Sequence, residues 1–405
     1  MDVVKKAAAA AEEEEVHGVV IVGGGLCGLA TALALHRKGM GSLVVERSEA
    51  LRVGGVALNV HANGWRALEE LGLADGLRKT ANLITSVRMV RQIQGKNQTT
   101  VSSPSYSYAR CRKEIRCLRR KDVMEALAKS VPAHTIRYGC RIVAVDEDPG
   151  TDCTVVIGCD GWNSVVARYV GLGAPSQLPR FIVLGFASYP EGHPFGTEFS
   201  QIIADDFAVG RVPINENLLH FFVSRSPSPG RTDVDEDAAR KYVLEKVDEL
   251  PGEVADMVRR CDAASSWTLT KVWYRPPWQV ALAGFRRGAV TVAGDAMHAM
   301  GPFIGQGGSA GLEDAVVLAR SLSSAAAGDG RAPPRQQLRD DAVGAAIDEY
   351  VAERRRRATT LCLHSFAIGT LLTTRWLAVK LACVAVLALL GGDSRRDADY
   401  DCGRL

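Results

Sequence analysis

The sequence predicts an α/β fold, a Rossmann-like parallel sheet with an antiparallel sheet inserted into it, on three observations. A β-branched run, Val19 to Val22, leads into the turn Gly23-x-Gly25-x-x-Gly28 and then into a segment with helical spacing. Two more fully apolar runs, Thr154 to Cys159 and Ala289 to Ala293, end in Asp160-Gly161 and Gly294-Asp295. Between them, after Pro179, short strand-like runs recur at nearly regular spacing.

Each element has its own justification. Leu29, Ala32, Leu33 and Leu35 define a helix over 29–38, and Ser42 to Glu46 is a second strand, which completes a βαβ unit. Trp65, Leu68, Leu71 and Leu77 predict helices between Asn63 and Lys79, and Val123, Ala126 and Leu127 another over 121–130. Phe181 to Ala187, Phe199 to Ile203, Phe207 to Val212 and Leu218 to Val223 are the strands of the insert. A helix over 233–250 and a strand near Trp267 to Trp273 follow. Ala289 to Ala293 then returns to the parallel sheet, ahead of a helix over 309–321. The Ala, Gly and Pro content of 323–334 predicts a loop, and 343–357 a last helix.

The totals bound what such a chain can do. Its 405 residues, 47% apolar and 23% charged, suffice for a full core and two domains. A formal charge of +3 without a basic or aromatic stripe excludes a nucleic-acid role. The ten cysteines contain no C-x-x-C pair, and several sit in apolar runs, so neither a zinc site nor a disulfide framework is expected. The opening MDVVKKAAAAAEEEE has no apolar core and no arginine, and so reads as a disordered tail on a cytoplasmic protein, plastid or peripheral membrane placement being left open. The late apolar run Trp376 to Leu390, interrupted by Lys380, is too short to span a bilayer. A packed helix is expected there, with a membrane-surface helix as the alternative.

The motifs carry chemistry. In a strand–turn–helix context, Gly23, Gly25 and Gly28 make the tight turn, admit a pyrophosphate to the backbone and let helix and strand pack. Glu46, at the end of the second strand, is placed for a ribose hydroxyl, an exposed surface glutamate being the alternative. Pro302 fixes the loop after Asp295, and Gly305, Gln306, Gly307 and Gly308 lead into a helix whose first N–H groups favour an anion. His298 is read as structural, an acid or base being the alternative, and Trp273, Tyr274 and Trp278 as core or interdomain packing, a pocket wall being the alternative.

In GGGLCG with Glu46, CDGWNSVVAR and GDAMHAMGPFIGQG, three motifs in fixed order over Val19 to Arg357, the chain resembles the FAD-dependent group A monooxygenases of the para-hydroxybenzoate hydroxylase type. Within that group it looks most like plant zeaxanthin-epoxidase-like and urate-hydroxylase-like monooxygenases. The resemblance implies an FAD-binding domain over 18–178 and 281–330, a substrate domain over 179–280 and a C-terminal helical region over 331–405, behind the tail at 1–17. It assigns FAD contacts to Asp295 in the third motif and to Arg120, which begins an R-x-x-h-x-x-x-L helix, and associates Asp160, Gly161 and Arg168 of the second with both FAD and NAD(P)H. No catalytic side chain and no metal site is assigned.

The implied reaction is reduction of FAD by NADPH or NADH, then reaction with O₂ to a flavin hydroperoxide that hydroxylates or epoxidises a small apolar or aromatic molecule. With no second G-x-G-x-x-G, the nicotinamide is expected to bind transiently. The pattern departs from the family in one place. DEDPGTDCTVVIGCDG runs from Pro149 and Gly150 straight into the terminal strand, where relatives have a hairpin. A catalytically impaired FAD-binding protein is therefore the alternative expectation.

Overall fold

The computed structural model describes residues 18–55, 57–93, 96–102, 114–146, 155–203, 207–225, 252–261, 267–327, 340–390 and 396–405. In chain order the strands are β1 (Val19–Val22), β2 (Leu43–Val45), β3 (Ala57–Val60), β4 (Ser86–Ile93), β5 (Lys96–Ser102), β6 (Arg116–Arg119), β7 (Ile136–Arg137) and β8 (Val155–Gly158). After them come β9 (Ser176–Ser188), β10 (Glu198–Ile203), β11 (Phe207–Asn215), β12 (Leu218–Arg225), β13 (Thr268–Tyr274), β14 (Arg286–Arg287) and β15 (Val290–Val292). The helices are α1 (Leu26–Arg37), α2 (Ala62–Glu70), α3 (Ala74–Arg78), α4 (Arg120–Ser130), α5 (Val165–Tyr169), α6 (Gly252–Arg259), α7 (Pro277–Leu282), α8 (Asp295–His298), α9 (Gly307–Ala327), α10 (Asp340–Thr373) and α11 (Leu377–Leu389).

The β-branched runs VVIV, VVIG and VTV form the middle of a sheet ordered β14-β15-β8-β1-β2-β7. All its pairings are parallel except β14 with β15. Such strands are buried on both faces, which is why they read as continuous rather than alternating apolar runs. Val19, Ile21, Val155, Ile157 and Val292 are each at most 2% exposed, and burial of a side chain of this size stabilises by roughly 1.5–3 kcal/mol. α1 packs against both α4 and α9. The strand carrying Asp160 is paired on both sides, by β1 and β15.

The second sheet is ordered β13-β9-β12-β11-β10-β4-β5, antiparallel except for β10 with β4. One face packs Phe181, Val183, Leu219 and Phe221 under α6 through Val254, Met257 and Val258. The opposite face presents Leu178, Ile182 and Val272, against which Leu184, Phe222, Tyr274 and Phe303 pack. Phe303 belongs to a 3-10 turn, Pro302–Ile304, in the loop of the third motif. The loop thus meets this sheet. A two-stranded ribbon of β3 and β6 completes the frame.

Several expectations change. The helix after the glycine turn starts at Leu26 rather than 29, because Gly25 is its extended cap residue, and this puts Gly28 in the first turn. The second sheet reaches outside 179–280, taking β4 and β5 from 86–102 and the start of β9. Of the loop expected over 323–334, residues 323–327 are helical, SLSSAAA containing no breaker, and 328–334 lie outside the described residues. The helix expected to end at 357 runs on to Thr373, there being no proline in that stretch. The apolar run at 376–390 is helical but not packed away: among α11's residues only Cys383 is buried. The tail at 1–17, the helix at 233–250 and the short connection at 147–154 lie outside the described residues.

Candidate cofactor site and adjoining pocket

The glycine turn is built by steric necessity. Gly23 has φ +105°, and a Cβ on it would lie 2.5 Å from the Cys159 carbonyl oxygen. A Cβ on Gly28 would lie 1.9 Å from the Gly23 carbonyl oxygen, so the third glycine lets α1 close onto the turn. Gly25 is different. A Cβ there would meet nothing within 4 Å, and the first turn of α1 has no side-chain cap and no acidic residue. Open space at an uncapped helix N-terminus is where an anion is stabilised.

Glu46 closes the other side of the turn. Its Oε2 accepts from Gly24 N–H at 2.7 Å and its Oε1 from Ser48 N–H at 2.9 Å. Burial alone would raise this carboxyl, but the Ser48 and Gly24 donors outweigh it and hold the group below its usual range. It is a carboxylate, 4% exposed, fixed against the glycines, and not the free surface glutamate of the alternative reading.

The second and third motifs emerge side by side, since β8 and β15 are neighbours. Asp160 Oδ2 accepts from Val165 N–H at 2.7 Å, and its Oδ1 is buried with no partner among the described residues. Gly161 follows with φ +84°. Arg168 turns outward to Asn163. Trp162 stacks on Trp273 with centroids 4.1 Å apart, so Trp273 is packing as expected, whereas Trp278 is 57% exposed and is not. Asp295 is exposed to solvent at the start of α8. Desolvation there raises its carboxyl, opposed by His298 and Arg120 and reinforced by Asp314. Burial lowers the pKa of Arg120, at the start of α4, and the charge of Asp295 opposes that shift.

The sequence reading missed what holds the third motif. Asp314, on α9, accepts from Gly294 N–H at 2.8 Å, from His298 Nε2 at 2.6 Å and from Arg354 Nε at 2.7 Å. Glu313 beside it takes Arg354 at 2.6 Å, Arg357 at 3.1 Å and Asn63 Nδ2 at 2.5 Å. Asn63 also donates to Gln306 Oε1 at 2.8 Å. Burial would lower the His298 pKa, but Asp314 raises it on balance and is itself held far below the usual carboxylate range. His298 is fully buried against Asp314, and its Nδ1 is buried with no partner among the described residues. The signal was an acid pair, Glu313-Asp314, set between Leu312 and the apolar run Ala315 to Ala319.

Around this loop buried polar atoms lack partners among the described residues: Asn59 Oδ1, Asn63 Oδ1, Gln306 Nε2 and Ser309 Oγ. Gly305 adopts φ +63°, with His61 Nε2 3.2 Å from where its Cβ would be. α9 begins immediately after, without an acid in its first turn, and Gly308 lies against Leu26 of α1. Two helix N-termini therefore converge beside a group of unsatisfied polar atoms. Native cores seldom leave such atoms unpaired, and these residues fit a long, polar, partly anionic cofactor. Of the residues singled out in the sequence, Gly23, Gly25, Gly28 and Glu46 surround the first N-terminus, and Gly305, Gln306 and Gly307 lead into the second. Pro302 starts the exposed turn between Gly294-Asp295 and Gly305.

Beyond the loop lies the apolar face of the second sheet. His220, 5% exposed, sits on it between Phe186 and Phe222, with Nδ1 3.1 Å from the Gly185 carbonyl. A carbonyl only accepts, so Nδ1 carries the proton and Nε2 is an acceptor. Burial pushes this imidazole down to about 4, the Gly185 contact opposing it. Between 6.5 and 4 the unfolded chain binds more protons at this site than the folded one, so its contribution is complete above 6.5 and is lost as pH falls through about 4. The slope is at most about 1.4 kcal/mol per pH unit. His61, also pushed down to about 4 by burial, acts in the same sense, and Asp295, whose carboxyl is raised, in the opposite one. We expect urea midpoints to fall on acidification from pH 6.5 and the His220→Phe variant to show a shallower fall. Parallel curves would contradict the assignment.

Residues 17–365 match the family described as FAD binding domain. The chain is 40% identical to Monooxygenase 1 of Arabidopsis thaliana over 403 residues, covering 95% of this chain and 98% of that protein. It is 25% identical to an FAD-dependent urate hydroxylase of Mycolicibacterium vanbaalenii, covering 85% and 86%. Among solved structures it resembles Klebsiella pneumoniae HpxO complexed with FAD and uric acid, with a TM-score of 0.73 at 21% identity, over 94% of this chain and 96% of that one.

Proposed function

Because the chain belongs to the family of FAD-dependent group A monooxygenases and is an oxidoreductase, we propose that it uses NADPH or NADH and O₂ to hydroxylate or epoxidise a small apolar or aromatic molecule. The observation that carries this reading is the convergence of two helix N-termini beside orphaned polar atoms, next to an apolar sheet face. Bound FAD would supply the redox chemistry, moving two electrons from the nicotinamide to O₂. One oxygen atom enters the product and the other leaves as water, with one proton taken up per NAD(P)H.

The chain's own residues do the rest. The N–H groups after Gly25 face the pyrophosphate, and Glu46 accepts from a ribose hydroxyl with the lone pairs that Gly24 and Ser48 leave free. Asp295 and Arg120 hold the middle of the cofactor, with the free oxygen of Asp160 close by on the neighbouring strand. Gly305, Gln306 and Gly307 bring backbone donors to the flavin edge, where the dipole of α9 favours negative charge. Phe222, Val272 and Phe303 exclude water, which an oxygen-transferring site needs. His220, neutral above about pH 4, offers Nε2 to a substrate O–H or N–H.

Oxygen-electrode measurements with NADPH test the proposal. Without substrate the enzyme is expected to consume NADPH and O₂ slowly and to release hydrogen peroxide in equal amount. A true substrate from a panel of aromatic, purine and terpenoid compounds should speed consumption and divert peroxide into product. For substrates with a polar hydrogen, His220→Phe should raise KM several-fold with a smaller effect on kcat. No NADPH consumption and no peroxide across the panel would leave the impaired flavin binder as the better reading.

A further inference from the structure

We infer that α11 is a membrane-surface anchor: the helix lies in the face of an anionic lipid bilayer, joined by the exposed side chains of α7. Most of the large apolar side chains that the described residues expose belong to these two short helices and the residue before α11. Leu377, Leu381, Val384 and Leu389 are 70, 60, 51 and 88% exposed, and Trp376 ahead of them is 75% exposed. On α7, Trp278 and Leu282 are exposed as well. Both helices pack on α10. Trp278 sits 6.0 Å from Phe366, about two turns before the end of α10 from which α11 departs.

Three features select a lipid surface over a second protein. The helix LAVKLACVAVLAL leaves Leu377, Leu381, Val384 and Leu389 exposed, with Lys380 as its only charge. No acid occurs from Thr374 to Leu390, while Arg375 and Lys380 are both exposed, which complements anionic headgroups. Trp376 at the helix start is the side chain that favours the boundary between headgroups and acyl chains. Thirteen residues span about 20 Å against a hydrocarbon layer of about 30 Å, and no helix among the described residues is long and apolar enough to cross a membrane. The helix therefore lies in the interface and does not traverse it. This inference does not depend on the monooxygenase reading.

The test is flotation of the full-length protein with vesicles of phosphatidylcholine alone and of phosphatidylcholine mixed with phosphatidylserine. Binding is expected to be stronger to the mixed vesicles and to weaken with salt. Leu381→Glu with Val384→Glu should lower the partition coefficient on the order of a hundredfold, with urea midpoint and FAD content unchanged because both side chains are already exposed. Arg375→Gln with Lys380→Gln should remove the preference for the anionic vesicles. Failure of the wild type to float would overturn the inference. So would a concentration-dependent dimer in light scattering that the double glutamate variant abolishes, since a second copy would then be what covers the helix.

Discussion

Replacing Asp314 by alanine is expected to cost about 3–5 kcal/mol of stability and to abolish FAD retention, because it removes the carboxylate that contacts buried His298 and one of the two that contact buried Arg354. His298 and Arg354 are both fully buried, and Asp314 contacts them at 2.6 and 2.7 Å. Arg354 keeps Glu313, but His298 is left without a carboxylate in direct contact. The same carboxylate fixes the Gly294 N–H, one residue before Asp295. Asp314→Asn keeps the shape and an acceptor for that N–H while losing the charge, and should fall between alanine and wild type. Urea unfolding and FAD titration of the apoproteins measure both effects, and wild-type midpoints for Asp314→Ala would show that the network is not what holds the third motif.

The second large effect is at the glycine turn, where two alanine substitutions should separate. Gly28→Ala puts a methyl 1.9 Å from the Gly23 carbonyl oxygen, and the turn or the helix must give way. Overpacking of this kind costs typically about 1–3 kcal/mol, and a displacement of about 1 Å at a positioning group can cost on the order of a hundredfold. Gly25→Ala has no protein atom within 4 Å to meet. Its apoprotein should melt like the wild type while FAD affinity falls, since the methyl enters the space proposed for the pyrophosphate. Differential scanning of the apoproteins and FAD titration separate the two cases. Equal FAD affinity in Gly25→Ala and the wild type would move the pyrophosphate elsewhere.

What could be read from the sequence follows from the range of the interactions. VVIV, TVVIGC and AVTVA declare buried parallel strands by local composition alone, and the motifs follow the ends of three neighbouring strands, β1, β8 and β15. The contacts of Gly28 with Gly23 and of Glu46 with Gly24 lie within one βαβ unit, whereas Gly23 itself is pressed by Cys159 after β8. The pairing of β4 with β10 joins residues 110 or more apart in sequence, and nothing in 86–102 signals that partner. The links from Asn63 to Glu313 and from Asp314 to Arg354 are likewise tertiary. A buried acid pair on α9 was their visible trace. α11 misled in the opposite direction: its composition is that of a core helix, and only the structure shows that, apart from Cys383, its side chains are left wholly or partly exposed.

The account rests on a bound flavin that a nicotinamide can reduce, and the most direct measurement is the absorbance spectrum of the purified protein before and after anaerobic NADPH. The account predicts an oxidised-flavin spectrum that NADPH bleaches and that admitted O₂ restores, with FAD released on heating. A protein that carries no flavin, or whose flavin keeps its oxidised spectrum under excess NADPH and NADH, would contradict it.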